Sequence, residues 1–170
     1  MKVLITGRSG TGKSKVCSEL QRRGLPAFDG DKVPGLAAWV DAATGKHVQV
    51  DYSKPINRHT TLWKWDSGIL HALLASNNDI FLCGSADNDL DFVGLFDKVF
   101  VLTLPPNVQR QRILDRTDHD YGKQPGMIAQ ILEEQQQFVK HALRIGVPTL
   151  SAKPKPAVII DKILRLAYGD

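Results

Sequence analysis

Gly7-Arg8-Ser9-Gly10-Thr11-Gly12-Lys13-Ser14 follows the apolar run Val3-Leu4-Ile5 and precedes Val16 and Leu20, an inward-facing pair four residues apart. The order is strand, glycine-rich turn, then a helix starting near Lys13, and the eight residues fit G-x-x-x-x-G-K-[ST] without a mismatch. Glycines let the backbone wrap a polyphosphate with its N–H groups turned inward, and the helix behind adds the positive end of its dipole. Gly7, Arg8, Ser9, Gly10, Thr11 and Gly12 are expected to form this cradle. Lys13 is expected to bridge the β- and γ-phosphates, and Ser14 to hold Mg²⁺ through its hydroxyl. The chain is therefore read as a nucleoside triphosphate binder.

The second brief strand, 25–28, runs into Asp29-Gly30-Asp31. Two carboxylates one residue apart in an extended chain face the same way. The carboxyl ends of strands are where ligands bind in an open α/β sheet. An acidic loop that merely turns the chain fits the spacing nearly as well. The upstream phosphate loop favours the functional reading, because a nucleotide–metal site wants a carboxylate nearby and a phosphoryl acceptor wants a base.

Strand, G-x-x-x-x-G-K-S, helix and then D-x-D resembles the P-loop small-molecule kinases related to shikimate kinase, gluconate kinase and adenylylsulfate kinase. Asp29-Gly30-Asp31 has the form found in the last two. The resemblance implies ATP and Mg²⁺ as cofactors and a small-molecule phosphoryl acceptor. It places Asp29 in the metal shell and Asp31 against the acceptor hydroxyl, able to take its proton. It makes 32–60 an acceptor-binding insertion, with Arg58, His59, Trp63 and Trp65 as readers of the substrate; of these, Arg58 best suits an anion. Gly84 and Ser85 fall where such kinases place a substrate-contacting loop, and Asp87 and Asn88 follow as hydrogen-bonding groups or as a plain polar turn. Residues 116–126 become a short lid. Arg112 and Arg116 take its R-x-x-x-R pattern over the triphosphate, with Lys123 as a supplement, and they join Lys13 and Asp31 as the expected catalytic groups. The chain is also similar, over most of its length, to bacterial ATP-binding proteins described as AAA-family or kinase-like.

Elsewhere the pattern alternates. Strands are expected at 80–83, 99–104 and 147–150, and helices at 61–76, 106–116, 126–144 and 158–168, with 34–40 a possible helix and 47–52 a possible extended piece. One α/β domain over 1–170 follows: a P-loop NTPase fold with a doubly wound five-stranded parallel sheet and helices on both faces. A length of 170 residues with 42% apolar content supports one proper core. The net charge of +4 is scattered without a basic block, which argues against a nucleic-acid partner. No run is apolar enough for a membrane span, and Cys17 and Cys83 read as buried thiols in a reducing cytoplasm. The oligomeric state has no signature.

Three functions compete. The first is phosphoryl transfer to a hydroxyl or phosphate of a nucleoside, nucleotide, sugar acid or similar molecule. A regulatory GTPase needs an N-K-x-D element, which is missing from the sequence. A nucleotide-binding regulatory protein with little turnover keeps the phosphate loop and can dispense with Asp31, Arg112 and Arg116. Lys32-Val33, where gluconate kinases have Leu-His, and the lack of a triple glycine after Cys83 argue against gluconate and shikimate as acceptors.

Overall fold

Val3, Leu4 and Ile5 are all sealed from solvent, and a strand with no polar face must be covered on both sides. In the computed structural model, which describes residues 1–169, this strand is the middle of the sheet. The chain runs β1 (Lys2–Thr6), α1 (Lys13–Arg22), β2 (Ala27–Asp29), β3 (Ala37–Asp41), β4 (Thr61–Trp65), α2 (Ser67–Ala75) and β5 (Ile80–Cys83). It continues through β6 (Lys98–Thr103), α3 (Pro106–Asp115), α4 (Met127–Arg144), β7 (Thr149–Ser151) and α5 (Pro156–Tyr168). Five strands pair in parallel in the order β2-β5-β1-β6-β7. After β5 the chain crosses to the other side of β1, so the carboxyl ends of β1 and β5 flank the crevice where such sheets bind ligands.

The period of two along each strand sorts the core into two layers. Val3 and Ile5 pack with Val16 and Leu20 of α1 and Ile160 and Ile163 of α5. Leu4 points the other way, into Leu70 and Leu74 of α2 and Phe138 of α4. Cys17 and Cys83 are free, buried thiols of the first layer. Among the described residues no helix is long and apolar enough to cross a membrane.

The insertion between β2 and α2 departs from the sequence-based expectation. Residues 61–65 are strand β4 instead of the first turns of a helix, and the 34–40 stretch is a turn leading into β3 instead of a helix. β3 and β4 form an antiparallel hairpin that sets Trp39 opposite Trp63, with ring centroids 5.2 Å apart. Cross-strand aromatic pairs stabilise a sheet beyond what local helix propensity offers. The helix begins one residue after Asp66, whose carboxylate accepts from the Ile69 N–H at 2.8 Å. Of 47–52, only His47 pairs, as a single bridge to Val40.

Where β2 and β5 end, Gly30 and Gly84 pass back to back under the Trp65 ring. A Cβ on Gly84 would lie 3.0 Å from Trp65 Cζ2 and 3.2 Å from the Gly30 Cα. Because Trp65 is only 3% exposed and cannot swing away, Gly84→Ala is expected to destabilise the fold by about 1–3 kcal/mol. Urea denaturation measures this, and a variant as stable as the parent would mean that the two strand ends separate easily.

Candidate active site

The phosphate loop hangs from the carboxyl end of β1 and is tied down from three directions. Thr6 Oγ1 donates to Asp89 Oδ2 at 2.6 Å, and Arg8 reaches the same carboxylate at 3.4 Å and the Ala86 carbonyl at 2.8 Å, with its guanidinium 3.8 Å over the Phe138 ring. Gln135 of α4 accepts from the Arg8 N–H at 2.8 Å and donates to the Leu102 carbonyl. Gln109 of α3 donates to the Ser9 carbonyl at 2.7 Å. The two glutamines thus hold one loop N–H and one loop carbonyl from behind. At Gly10, with φ +84°, a Cβ would lie 2.7 Å from Ile113, so only glycine lets the loop sit down on α3. Arg8 is expected from its motif position to line the nucleotide site, and it does border the cavity, but its charged end is engaged by Asp89.

Lys13, at the start of α1, donates to the Gly7 carbonyl at 2.6 Å. Burial pushes its pKa down, and the Asp31 carboxylate pulls it back up. Asp31 follows β2 in a short 3-10 turn, with its backbone N–H donating to Asp29 Oδ1 at 3.2 Å. Its side chain stays open to the water of the cavity. Even so, the surrounding protein wall pushes its carboxyl above the usual range, as does Asp29. Lys13, the neighbouring Trp63 side chain and His119 act in the opposite direction. Asp29 is turned inward, 3.9 Å from Lys32 Nζ, and does not line the cavity.

Residues 116–126, between α3 and α4, cover the other side. Arg112 Nη2 donates to the Ala152 carbonyl at 2.9 Å and Nη1 reaches Thr11 O at 3.5 Å, setting it between the phosphate loop and the segment after β7. Arg116 donates from Nη1 to Ser9 Oγ at 2.9 Å, while its Nε and Nη2 are buried without any partner. Burial lowers its pKa. The residue lines the cavity beside the phosphate loop, while its buried Nη2 packs towards Gly122, so the cation has donors to spare should an anion draw it round.

The cavity holds about 1170 Å³ and brings together Lys13, Ser14, Asp31, Arg58, Ser85, Arg112 and Arg116. Gly7, Thr11, Asp29 and Gly84 do not line it. Arg58 is not a free cation: its Nη2 contacts both Asp87 oxygens, at 2.5 and 2.7 Å, and its Nε contacts Glu134 at 3.3 Å. Asp87 also accepts the Trp63 N–H at 2.7 Å, and Asn88 hydrogen-bonds the N–H and C=O of Trp65, so both hold the hairpin. Sequence reasoning missed Asp89, Gln109, Gln135, Tyr52, Tyr121 and Glu134. For Gln135 a signal existed: it occupies the inward stripe Ile131-Gln135-Phe138, where a polar residue needs a buried partner.

The sequence pattern of the AAA domain matches residues 3–137. A dephospho-CoA kinase of Mesorhizobium japonicum is 30% identical, with 94% of each chain covered. Another, of Novosphingobium aromaticivorans, is 27% identical over 96% of this chain and 86% of that one. The chain belongs to the AAA domain family of P-loop kinases, with the dephospho-CoA kinases. The fold of the kinase agrees with solved relatives. A shikimate kinase of Bacteroides thetaiotaomicron superposes with a TM-score of 0.60 at 13% identity, covering 96% of each chain. A gluconokinase of Sinorhizobium meliloti 1021 gives 0.57 at 15%, over 98% of this chain and 93% of that one. A deoxyadenosine kinase of M. mycoides with bound dCTP also gives 0.57 at 15%, with both chains fully covered.

The unsatisfied Arg116 donors give this kinase a measurable conflict between stability and binding. Arg116→Met removes them and is expected to stabilise the nucleotide-free protein by about 1 kcal/mol. The same change should weaken ATP about tenfold or more through the lost charge-assisted contacts. Thermal unfolding with and without Mg–ATP reads both, and a destabilised free protein would show that the two donors are already satisfied.

Proposed function

We propose that the kinase transfers the γ-phosphoryl of ATP, with Mg²⁺, to a hydroxyl of a small molecule held beside Asp31. What supports this reading above all is Asp31 facing one cavity with Lys13, Ser14 and Arg116, a base and a set of phosphate ligands in one chamber. The acceptor oxygen forms its bond to the γ-phosphorus as the bond from that phosphorus to the bridging oxygen breaks. ADP leaves with the electron pair, and the hydroxyl proton passes to the Asp31 carboxylate. Lys13 and Arg116 offset the charge on the transferring group, and the loop amides hold the β-phosphate. Arg112, between the phosphate loop and the Ala152 carbonyl, holds the nucleotide side.

The residues present suit Mg²⁺. Ser14 is exposed on the cavity wall at the head of α1, and Asp29, whose charge is felt by Lys13, would serve as an outer carboxylate. Among the described residues no group of three or more acidic, His or Cys side chains forms a cage. A hard cation bound chiefly through phosphates and water needs none. Bound there, Mg²⁺ would neutralise the phosphates. The name of the similar proteins makes dephospho-CoA one acceptor to test alongside nucleosides, nucleotides and sugar acids.

Acceptor-dependent ADP release in a coupled assay tests the proposal. Asp31→Asn is expected to keep ATP binding and to lose about 10²–10⁴-fold in turnover, whereas Lys13→Ala loses nucleotide affinity as well. Normal turnover by Asp31→Asn on a working acceptor would sink the assignment of the base. The protonation of Asp31 also sets the pH dependence. A base acts only when ionised, and the protein wall around Asp31 together with Asp29 raises its pKa, so activity should fall on acidification at a pH above the ordinary aspartate value of about 3.9. Asp31→Glu, if active, should shift that acid limb; a limb unmoved by the substitution would assign it to another group.

A further inference from the structure

Residues 116–123 close into a small loop beside the phosphate site. Arg116 is fixed to Ser9 Oγ at 2.9 Å, and Lys123 donates back to the Arg116 carbonyl at 2.6 Å. Lys123 also pairs with Asp120 at 3.2 Å, so those two charges are spent inside the loop. Tyr121 rests against Trp39 of the hairpin, with ring centroids 6.1 Å apart. At Gly122, with φ +90°, a Cβ would lie 2.6 Å from Ile131 Cδ1, so only glycine seats the turn on α4. His119 is carried between these anchors and lines the cavity.

A histidine on a polar loop is ordinarily solvated, and half of this side chain is open. Its surroundings are less ordinary. The Asp118 carboxylate is 3.6 Å from Nε2, beyond hydrogen-bond reach, so among the described residues the ring has an ionic neighbour but no bonded one. Burial and then Arg116 oppose a positive ring, with Lys123 adding to them, while Asp118 and Asp31 favour it. The balance holds its pKa below the ordinary histidine value, and the ring of the free protein is neutral at neutral pH. Lys13 and Lys15 face the same cavity from α1, Asp115 from α3 and Glu134 from α4, the last engaged by Arg58. In the reaction proposed above, Arg116 stands on the phosphate side and Asp31 on the acceptor side. A group that feels both lies where the phosphoryl crosses. A bound triphosphate brings negative charge to this place and occupies Arg116, and both changes favour the imidazolium.

We infer that His119 is a further catalytic residue: its ring takes a proton from solvent as the nucleoside triphosphate binds, and donates a hydrogen bond to the γ-phosphoryl group in transfer. The inference rests on the phosphoryl-transfer reading for the place of that group, but binding alone tests it. His119 makes and breaks no bond to phosphorus, and its proton returns to solvent when the products leave. The contact is fully present at low pH and is lost as pH rises through the pKa of the ring in the bound state.

The full chain with Mg²⁺ is titrated calorimetrically with a non-transferable ATP analogue, and separately with ADP, in two buffers of different ionisation enthalpy. This gives the protons taken up per ligand bound. Phosphates titrate in the same range, so the readout is the difference between the parent and His119→Gln. With the analogue the parent should take up more protons than the variant, and with ADP that difference should nearly vanish. On the acid side of neutrality the variant should bind the analogue about tenfold more weakly, the scale of one charge-assisted contact, and the gap should close as pH rises. Equal uptake by parent and variant overturns the inference, as does a difference as large with ADP as with the analogue, or an acid-side affinity that the substitution leaves unmoved. Turnover is followed separately as acceptor-dependent ADP release. Release without His119-dependent uptake would strike the inference and leave phosphoryl transfer standing. Uptake that depends on His119, with no release on any acceptor, would keep the γ-phosphoryl contact and count against phosphoryl transfer.

Discussion

The buried carboxylate of Asp89 is the constraint on which the site depends. It is fully inaccessible and holds Thr6 at the end of the central strand, Arg8 in the phosphate loop and the Ala86 N–H beyond β5. Burial raises its pKa, with Arg8 acting in the opposite direction. A charge at that depth is tolerable only with its partners in place. The loop, the strand and the following turn are therefore fixed relative to one another before any nucleotide arrives. Gln135 and Gln109 complete the arrangement by occupying loop groups that face away from the cavity, leaving the inward ones for phosphate. Preorganised donors of this kind need no rearrangement when charge develops on a transferring group.

The same economy appears at the junction of β2 and β5. Two glycines touching under Trp65 bring the Asp29–Asp31 turn close to the carboxyl end of β5. One carboxylate turns inward and orders the turn, and the other opens to the cavity. A division of labour between adjacent acids thus arises from backbone packing, without any difference in residue type.

The sheet was legible because its strands are short apolar runs separated by helices with clear stripes, and each pattern admits few alternatives. The phosphate loop was legible because its spacing is chemically demanding. The hairpin was not: Thr61-Leu62-Trp63-Lys64-Trp65 leads straight into a helical stripe, and only the pairing with 37–41 reveals where the strand stops. Arg58 illustrates the harder limit. Its type suits an anionic ligand, but partners 29 and 76 residues away in sequence take up that capacity. Asp89 was hidden for a related reason. An aspartate after Asp87-Asn88 reads as part of a polar turn, and only the fold carries it beneath Thr6.

Arg58 also ties pieces that sequence keeps apart. Its guanidinium spans the hairpin, the turn after β5 and α4, the helix that residues 116–126 lead into. Elsewhere Gln124, between α3 and α4, donates to the Tyr52 carbonyl between β3 and β4. Cover and floor are thus joined at two points, and neither can swing far alone without breaking a contact of the other. By linkage, whatever factor a bound donor contributes to acceptor affinity through this shared frame, a bound acceptor must return to the donor in equal measure. A donor and an acceptor sharing this chamber would be thermodynamic partners before they were chemical ones.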